Sequence, residues 1–143
     1  MKTATHEDAQ LILKLYELRR EDVMRKARNY YLFLFFPSSV DDIRAILTDR
    51  ENPEPGAYFR QVTSYWEMAA SLVNRGALNE ELFLDCNGEH LAVFAKVEPF
   101  LTELRQFFGP QYLSQLEQLI ERMPDGKERI ARFRDMMKSL DPR

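Results

Sequence analysis

The chain is poor in glycine, cysteine and histidine, and each scarcity excludes a class of protein. Only 5 of its 143 residues are glycine, and none forms a glycine-rich phosphate loop or a Gly-x-Ser-x-Gly nucleophile motif. Cys86 is the single cysteine, which excludes an internal disulfide and a zinc site built from cysteines. No apolar run approaches the length that spans a bilayer. These absences leave no recognisable hydrolase, nucleotide enzyme or membrane-spanning protein.

The residues that are plentiful favour helix. Leu, Glu, Arg and Ala are abundant, 45% of the residues are apolar and 30% are charged, which is typical of a folded helical domain. Apolar residues recur every three or four positions, with no convincing strand pattern and no internal repeat. The sequence predicts one all-α domain over residues 1–143, an irregular bundle of six or seven helices, with residues 49–56 as an internal loop rather than a linker.

A long N-terminal helix is predicted over residues 5–36. Thr5 and Asp8 resemble a capping box, and no glycine or proline occurs before Pro37. Such a helix would be about 45 Å long, whereas a compact domain of this size is about 37 Å across. Its end should therefore overhang the body and expose apolar residues. Ile12, Leu15 and Tyr16 form the candidate interaction surface.

The charge distribution argues against a dedicated nucleic-acid partner. The net charge is −3, and residues 51–125 carry five basic and twelve acidic residues. The basic run that precedes the aromatic segment 30–36 is interleaved with acidic residues. It therefore predicts a solvated helix face that leads into a buried helix end, and peripheral membrane contact is disfavoured. The N-terminal residues lack the layout of a signal peptide, so we expect a cytoplasmic protein.

Few residues are suited to catalysis or metal binding. His6 lies at the start of the first helix, and His90 follows Asp85 and Cys86 in a segment that matches neither a calcium loop nor a zinc site. Glu67, at the edge of an apolar helix face, needs a partner, and Arg105 is the candidate for a structural ion pair. The sequence therefore predicts no catalytic residue, no metal ligand and no cofactor.

The aromatic helix after the loop leaves two interpretations open. Tyr58, Tyr65, Trp66 and Phe94 either belong to the core or line a pocket between helices for a small ligand. The spacing of Tyr58, Val62, Trp66 and Val73 favours the core.

Two segments carry a resemblance to a known family. The first runs from Tyr65-Trp66-Glu67 to an Arg75-Gly76 turn, and the second includes Val97-Glu98-Pro99-Phe100. Over about residues 58–122 the chain resembles a family of small bacterial helical proteins of unknown function. The resemblance implies a fold and no activity. Some members place a transmembrane helix before this domain, whereas this chain begins with a charged helix.

These observations together predict a non-catalytic interaction module. We expect a homodimer or a contact with another protein through the N-terminal helix. The alternative is a small-ligand-binding protein or an enzyme with the aromatic-lined pocket.

Overall fold

The computed structural model describes residues 2–143, and within them the chain is helical without a strand. This confirms the predicted all-α class. One π-helical turn follows α2 and one 3-10 turn follows α6. The α-helices are α1 His6–Arg19, α2 Asp22–Asn29, α3 Val40–Thr48, α4 Glu54–Asn74, α5 Glu80–Cys86, α6 Glu89–Val97, α7 Leu101–Phe108, α8 Ser114–Arg122 and α9 Gly126–Leu140.

The longest helix, α4, is at the centre of the fold. It packs against α8, α2, α3 and α6, and its apolar face is buried at Val62, Trp66, Ala69 and Val73. The predicted inward face is therefore confirmed. Gly76 follows the helix with a φ of 79°, a conformation that glycine adopts without strain at a helix end.

The predicted single helix over residues 5–36 is wrong, because it is broken at Arg20 and Glu21. Glu21 has an extended backbone, and its carboxylate accepts the N–H groups of Val23 and Met24, which starts α2 afresh. Helix α1 thus has 14 residues and is only about 21 Å long. The capping box of Thr5 and Asp8 is confirmed.

The segment 30–36 also differs from its prediction. A π-helical turn spans Tyr30–Leu34, and Tyr31 and Phe35 are buried while Phe33 and Leu34 are exposed. The helix end is therefore only partly buried. The buried residues Tyr31 and Phe35 continue the four-residue spacing from Ala27 of α2, and Phe33 and Leu34 lie on the side that faces solvent.

The predicted loop over residues 49–56 is shorter than expected, because α4 already begins at Glu54. Pro55 occupies the first turn of the helix, where a proline needs no N–H partner. Gly56 is buried where a Cβ atom would lie 2.3 Å from the carbonyl oxygen of Ile46. The glycine thus permits the close approach of α3 and α4.

The segment 89–108 is split rather than kinked at Pro99. The 3-10 turn Glu98–Phe100 separates α6 from α7, and α9 packs along α6. These breaks give the chain more helices than predicted. No helix within residues 2–143 combines the length and the apolar character needed to cross a membrane.

Candidate functional site

Helix α6 carries two buried titratable side chains, those of His90 and Lys96. Every residue from His90 to Val97 is buried, so a charged side chain here must find a partner inside the protein. Three titratable side chains occur on this helix: Glu89 at its start, His90 beside it, and Lys96 near its end. Their surroundings differ, and the difference identifies the candidate site.

Glu89 is part of a half-buried network that joins three helices. Its carboxylate accepts the Nε–H and Nη2–H groups of Arg28 from α2 at 2.9 and 2.8 Å, and the indole N–H of Trp66 from α4 at 3.1 Å. The hydrogen bond to Glu89 raises the pKa of Arg28. Each polar group has a partner of complementary charge or polarity, so this network is structural.

Lys96 is buried without an anionic partner. It is 6% exposed, and its ammonium group donates to the backbone carbonyls of Tyr31, Leu32 and Phe35. It also lies 4.6 Å from the ring centroid of Phe36. The carbonyls use all three N–H groups, and no carboxylate forms an ion pair with Lys96 within residues 2–143. Burial lowers the pKa of Lys96 to about 8, although the negative charge of Asp141 acts in the opposite direction.

A surface cleft borders Lys96, and we call it the Lys96 cleft. It has a volume of about 310 Å³ and lies between α6, α9 and the chain that follows the π turn. Its walls are mostly apolar, and Arg134 and Lys138 of α9 line it as well. The residues that form the apolar walls are Phe36, Pro37, Ala95, Pro99, Phe100 and Met137.

His90 is fully buried, and neither ring nitrogen has a hydrogen-bond partner. The ring packs against Trp66 and Phe83, at centroid distances of 6.0 and 5.2 Å. Burial lowers the pKa of His90 to about 4, and the positive charge of Arg129 contributes. The imidazole is neutral at pH 7 and serves as a core residue. No cluster of three potential metal ligands occurs among residues 2–143.

The predicted ion pair between Glu67 and Arg105 is not formed. The Glu67 carboxylate accepts the backbone N–H groups of Gln115 and Leu116, at 3.0 and 2.9 Å. Arg105 instead bonds the Tyr112 carbonyl and the Glu117 carboxylate. The first N–H groups of a helix lack partners within it. Those at the start of α8 donate to the Glu67 carboxylate and take the place of the predicted cation.

The four aromatic residues proposed to line a pocket do not converge on one cavity. Tyr65 and Trp66 are buried against each other, and the Tyr65 hydroxyl donates to the Leu15 carbonyl. Tyr58 is half-buried, with its hydroxyl on Glu54. Phe94 is buried elsewhere in the core and borders a different cleft. The core interpretation therefore holds for Tyr65, Trp66 and Phe94.

The predicted interaction surface is only partly exposed. Leu15 is 5% exposed and belongs to the core, Ile12 is half-buried against it, and Tyr16 is 49% exposed. Leu13, which the prediction omitted, is 66% exposed. The exposed large apolar residues of the helix are therefore Leu13, Tyr16 and Leu18, and Leu13 and Tyr16 lie three positions apart on one face.

Sequence reasoning missed the Lys96 cleft, although a signal was present. Lys96 is the single charged residue in the run from Leu91 to Val97, and a lone charge inside a buried helix requires an explanation. The pairing of Glu89 with Arg28 gave no comparable signal, because the two are 61 positions apart and several other cations could have served.

The geometry defines an all-helical protein whose α6 helix carries a half-buried polar network and a buried lysine. Comparison with known families matches residues 4–123 to a family described as a domain of unknown function, DUF4760. The chain belongs to this family, and the match extends well beyond the resemblance at residues 58–122. No curated protein and no solved structure matches the chain. Helix α9, which lines the Lys96 cleft, follows the matched residues.

Proposed function

We propose that the protein is a non-catalytic interaction module that forms a homodimer through α1. The observation that carries this proposal is the exposure of Leu13 and Tyr16 on a peripheral helix. Helix α1 packs against α5 and α2 and leaves these two side chains in solvent. Their burial against a second copy would contribute about 25 cal/mol for each Å² removed from water.

The charges along α1 favour an antiparallel contact between two copies. The first turn is acidic at Glu7, and the chain is basic at Arg19 and Arg20 where α1 ends, with the exposed Glu17 as the one acidic residue of the last turn. A two-fold axis near Leu13 would place the acidic turn of each copy beside the basic turn of the other. The dipoles of the two antiparallel helices would then also attract each other. A second copy is therefore the partner that this surface fits.

The proposal is tested by measuring the mass in solution by light scattering at high micromolar concentration. The unmodified chain should give twice its monomer mass of 16.9 kDa, and Leu13→Glu should give the monomer. Leu34→Glu is the matched control, because Leu34 is 65% exposed on a different segment, and it should remain dimeric. A monomer for the unmodified chain, or equal loss of the dimer in both variants, would overturn the proposal.

We also propose that the protein works in the cytoplasm. Cys86 is an exposed free thiol, and such a thiol is protected from oxidation in a reducing compartment. Labelling of Cys86 by a membrane-permeant maleimide, and not by an impermeant one, in intact cells tests this location. Equal labelling by the two reagents would contradict it.

A further inference from the structure

The Lys96 cleft contains more positive than negative charge that is free to act on a ligand. Glu98 pairs with Arg134, and Asp141 pairs with Arg143. Neither Lys96 nor Lys138 is in an ion pair within residues 2–143, although both line the cleft. These two unpaired ammonium groups therefore give the cleft a net positive charge.

A second group in the cleft also lacks a partner. The Nε–H group of Arg134 is buried, and no acceptor reaches it within residues 2–143. Buried donors are almost always satisfied in folded proteins, so this N–H group needs an acceptor that a water molecule or a ligand at the cleft wall would supply. The pairing with Glu98 uses a different nitrogen of the same guanidinium.

The structural role of Lys96 does not by itself account for its charge. Its ammonium group satisfies carbonyls at the end of the π turn, and a neutral amide could satisfy two of them without carrying a charge. Burying a cation without a counterion costs free energy, and the lowered pKa of Lys96 reflects that cost. An anion bound in the cleft would offset part of it.

The walls of the cleft restrict which anion fits. They are largely apolar and include Phe36, Phe100 and Met137, which favour a ligand with an apolar body over a bare inorganic ion. We propose that the Lys96 cleft binds a small organic anion with an apolar body and one carboxylate group. The carboxylate would lie near Lys138 and the Arg134 Nε–H group, and the apolar body would contact the aromatic walls.

The proposal is tested by titration calorimetry at pH 7 with three probes that separate the two parts of the ligand. Octanoate carries the charge and the apolar body, octanol only the apolar body, and acetate only the charge. Octanoate should bind at least tenfold more tightly than either of the others. Octanol and octanoate of equal affinity would mean apolar adsorption without recognition of the charge, and no detectable binding of octanoate would equally overturn the proposal.

Two variants of α9, each with one basic residue replaced by glutamate, test whether octanoate binds in the Lys96 cleft. Lys138 is exposed at the cleft, so Lys138→Glu should keep the fold and weaken octanoate binding about tenfold, by electrostatics of ~1.4 kcal/mol. Arg132→Glu is the matched control, because Arg132 is exposed on the same helix and lines a different cleft. It should leave the affinity within about twofold. Equal losses in the two variants would place octanoate outside the Lys96 cleft.

Discussion

The two ends of α6 bury opposite charges in different ways. At the start, Glu89 contacts a guanidinium and an indole N–H, so its charge is neutralised inside the protein. Near the other end, the Lys96 ammonium group donates only to backbone carbonyls and lies over the Phe36 ring, and it forms no ion pair within residues 2–143. A buried ion pair fixes the helices that contribute to it, whereas a buried charge without a counterion remains able to attract a ligand.

This difference matches the surroundings of each group. Glu89 lies among α2, α4 and α6, where Trp66 is fully buried, and mutation there should act on stability. Lys96 lies beside a cleft of about 310 Å³, and the charge there should act on binding. The predictions below test whether the contrast between a paired and an unpaired charge holds.

The largest effect is expected from removing the paired carboxylate. Glu89→Ala leaves Arg28 and the Trp66 indole without their acceptor, and should lower the free energy of unfolding by about 3 kcal/mol. Urea titration measures this change. Glu80→Ala is the control, because Glu80 forms an exposed ion pair with Arg122, and it should cost less than about 1 kcal/mol. Similar losses in the two variants would show that burial adds nothing to the Glu89 network.

The neutral His90 should make the protein sensitive to acid. Its folded-state pKa of about 4 lies below the ordinary value of 6.5, so the unfolded chain takes up the proton first as the pH falls. Stability should therefore decrease by about 2 kcal/mol from pH 6.5 to pH 4.5. The variant His90→Leu, which has no group to protonate at this position, should not show this decrease. Urea midpoints with the same pH dependence in both proteins would show that His90 finds a partner when it is charged.

The sequence predicts the helices better than it predicts the contacts of their charged residues. Thr5 caps α1 as expected, and Ser39 and Asn79 cap α3 and α5 in the same way, because capping depends on neighbouring residues. The break at Glu21 was missed because glutamate is not a preferred N-cap residue. The gap in the apolar stripe at Arg19 and Arg20 was the available signal.

The candidate site was beyond sequence reasoning for a different reason. Glu67 was recognised as a carboxylate that needs a partner, but its partners are backbone N–H groups of α8, and every residue except proline carries one. The Lys96 cleft depends on the packing of α9 against α6. Such long-range packing is not encoded in the local spacing of either helix.

The effect of Lys96 on stability should change with pH in the opposite direction to that of an ion-paired lysine. The folded-state pKa of Lys96 is about 8, below the ordinary value of 10.5, so the folded protein loses this proton first as the pH rises. Stability should therefore increase from pH 8 to pH 9.5, by about 1 to 2 kcal/mol relative to Lys96→Met. The comparison with the variant removes contributions from tyrosines. A decrease relative to the variant would indicate a hidden counterion at Lys96.

The smallest effect on stability is expected at Glu67. Its surroundings are the opposite of those of Lys96, because backbone groups hold a negative charge here and a positive charge there. Its carboxylate is held by N–H groups at a helix start, whereas the Lys96 ammonium is held by carbonyls at the end of the π turn. Glu67→Gln keeps one acceptor oxygen and replaces the other with a donor, so the variant should lose about 1 kcal/mol of stability.

The matched control for this last comparison is Glu103→Gln. Glu103 is exposed on α7, and its side chain forms no hydrogen bond within residues 2–143, so its urea midpoint should be unchanged. The loss in Glu67→Gln should also diminish only slightly in high salt, because a half-buried carboxylate on backbone N–H groups is poorly screened. If salt abolishes the loss, Glu67 acts through distant cations, and the capping of α8 does not explain its contribution.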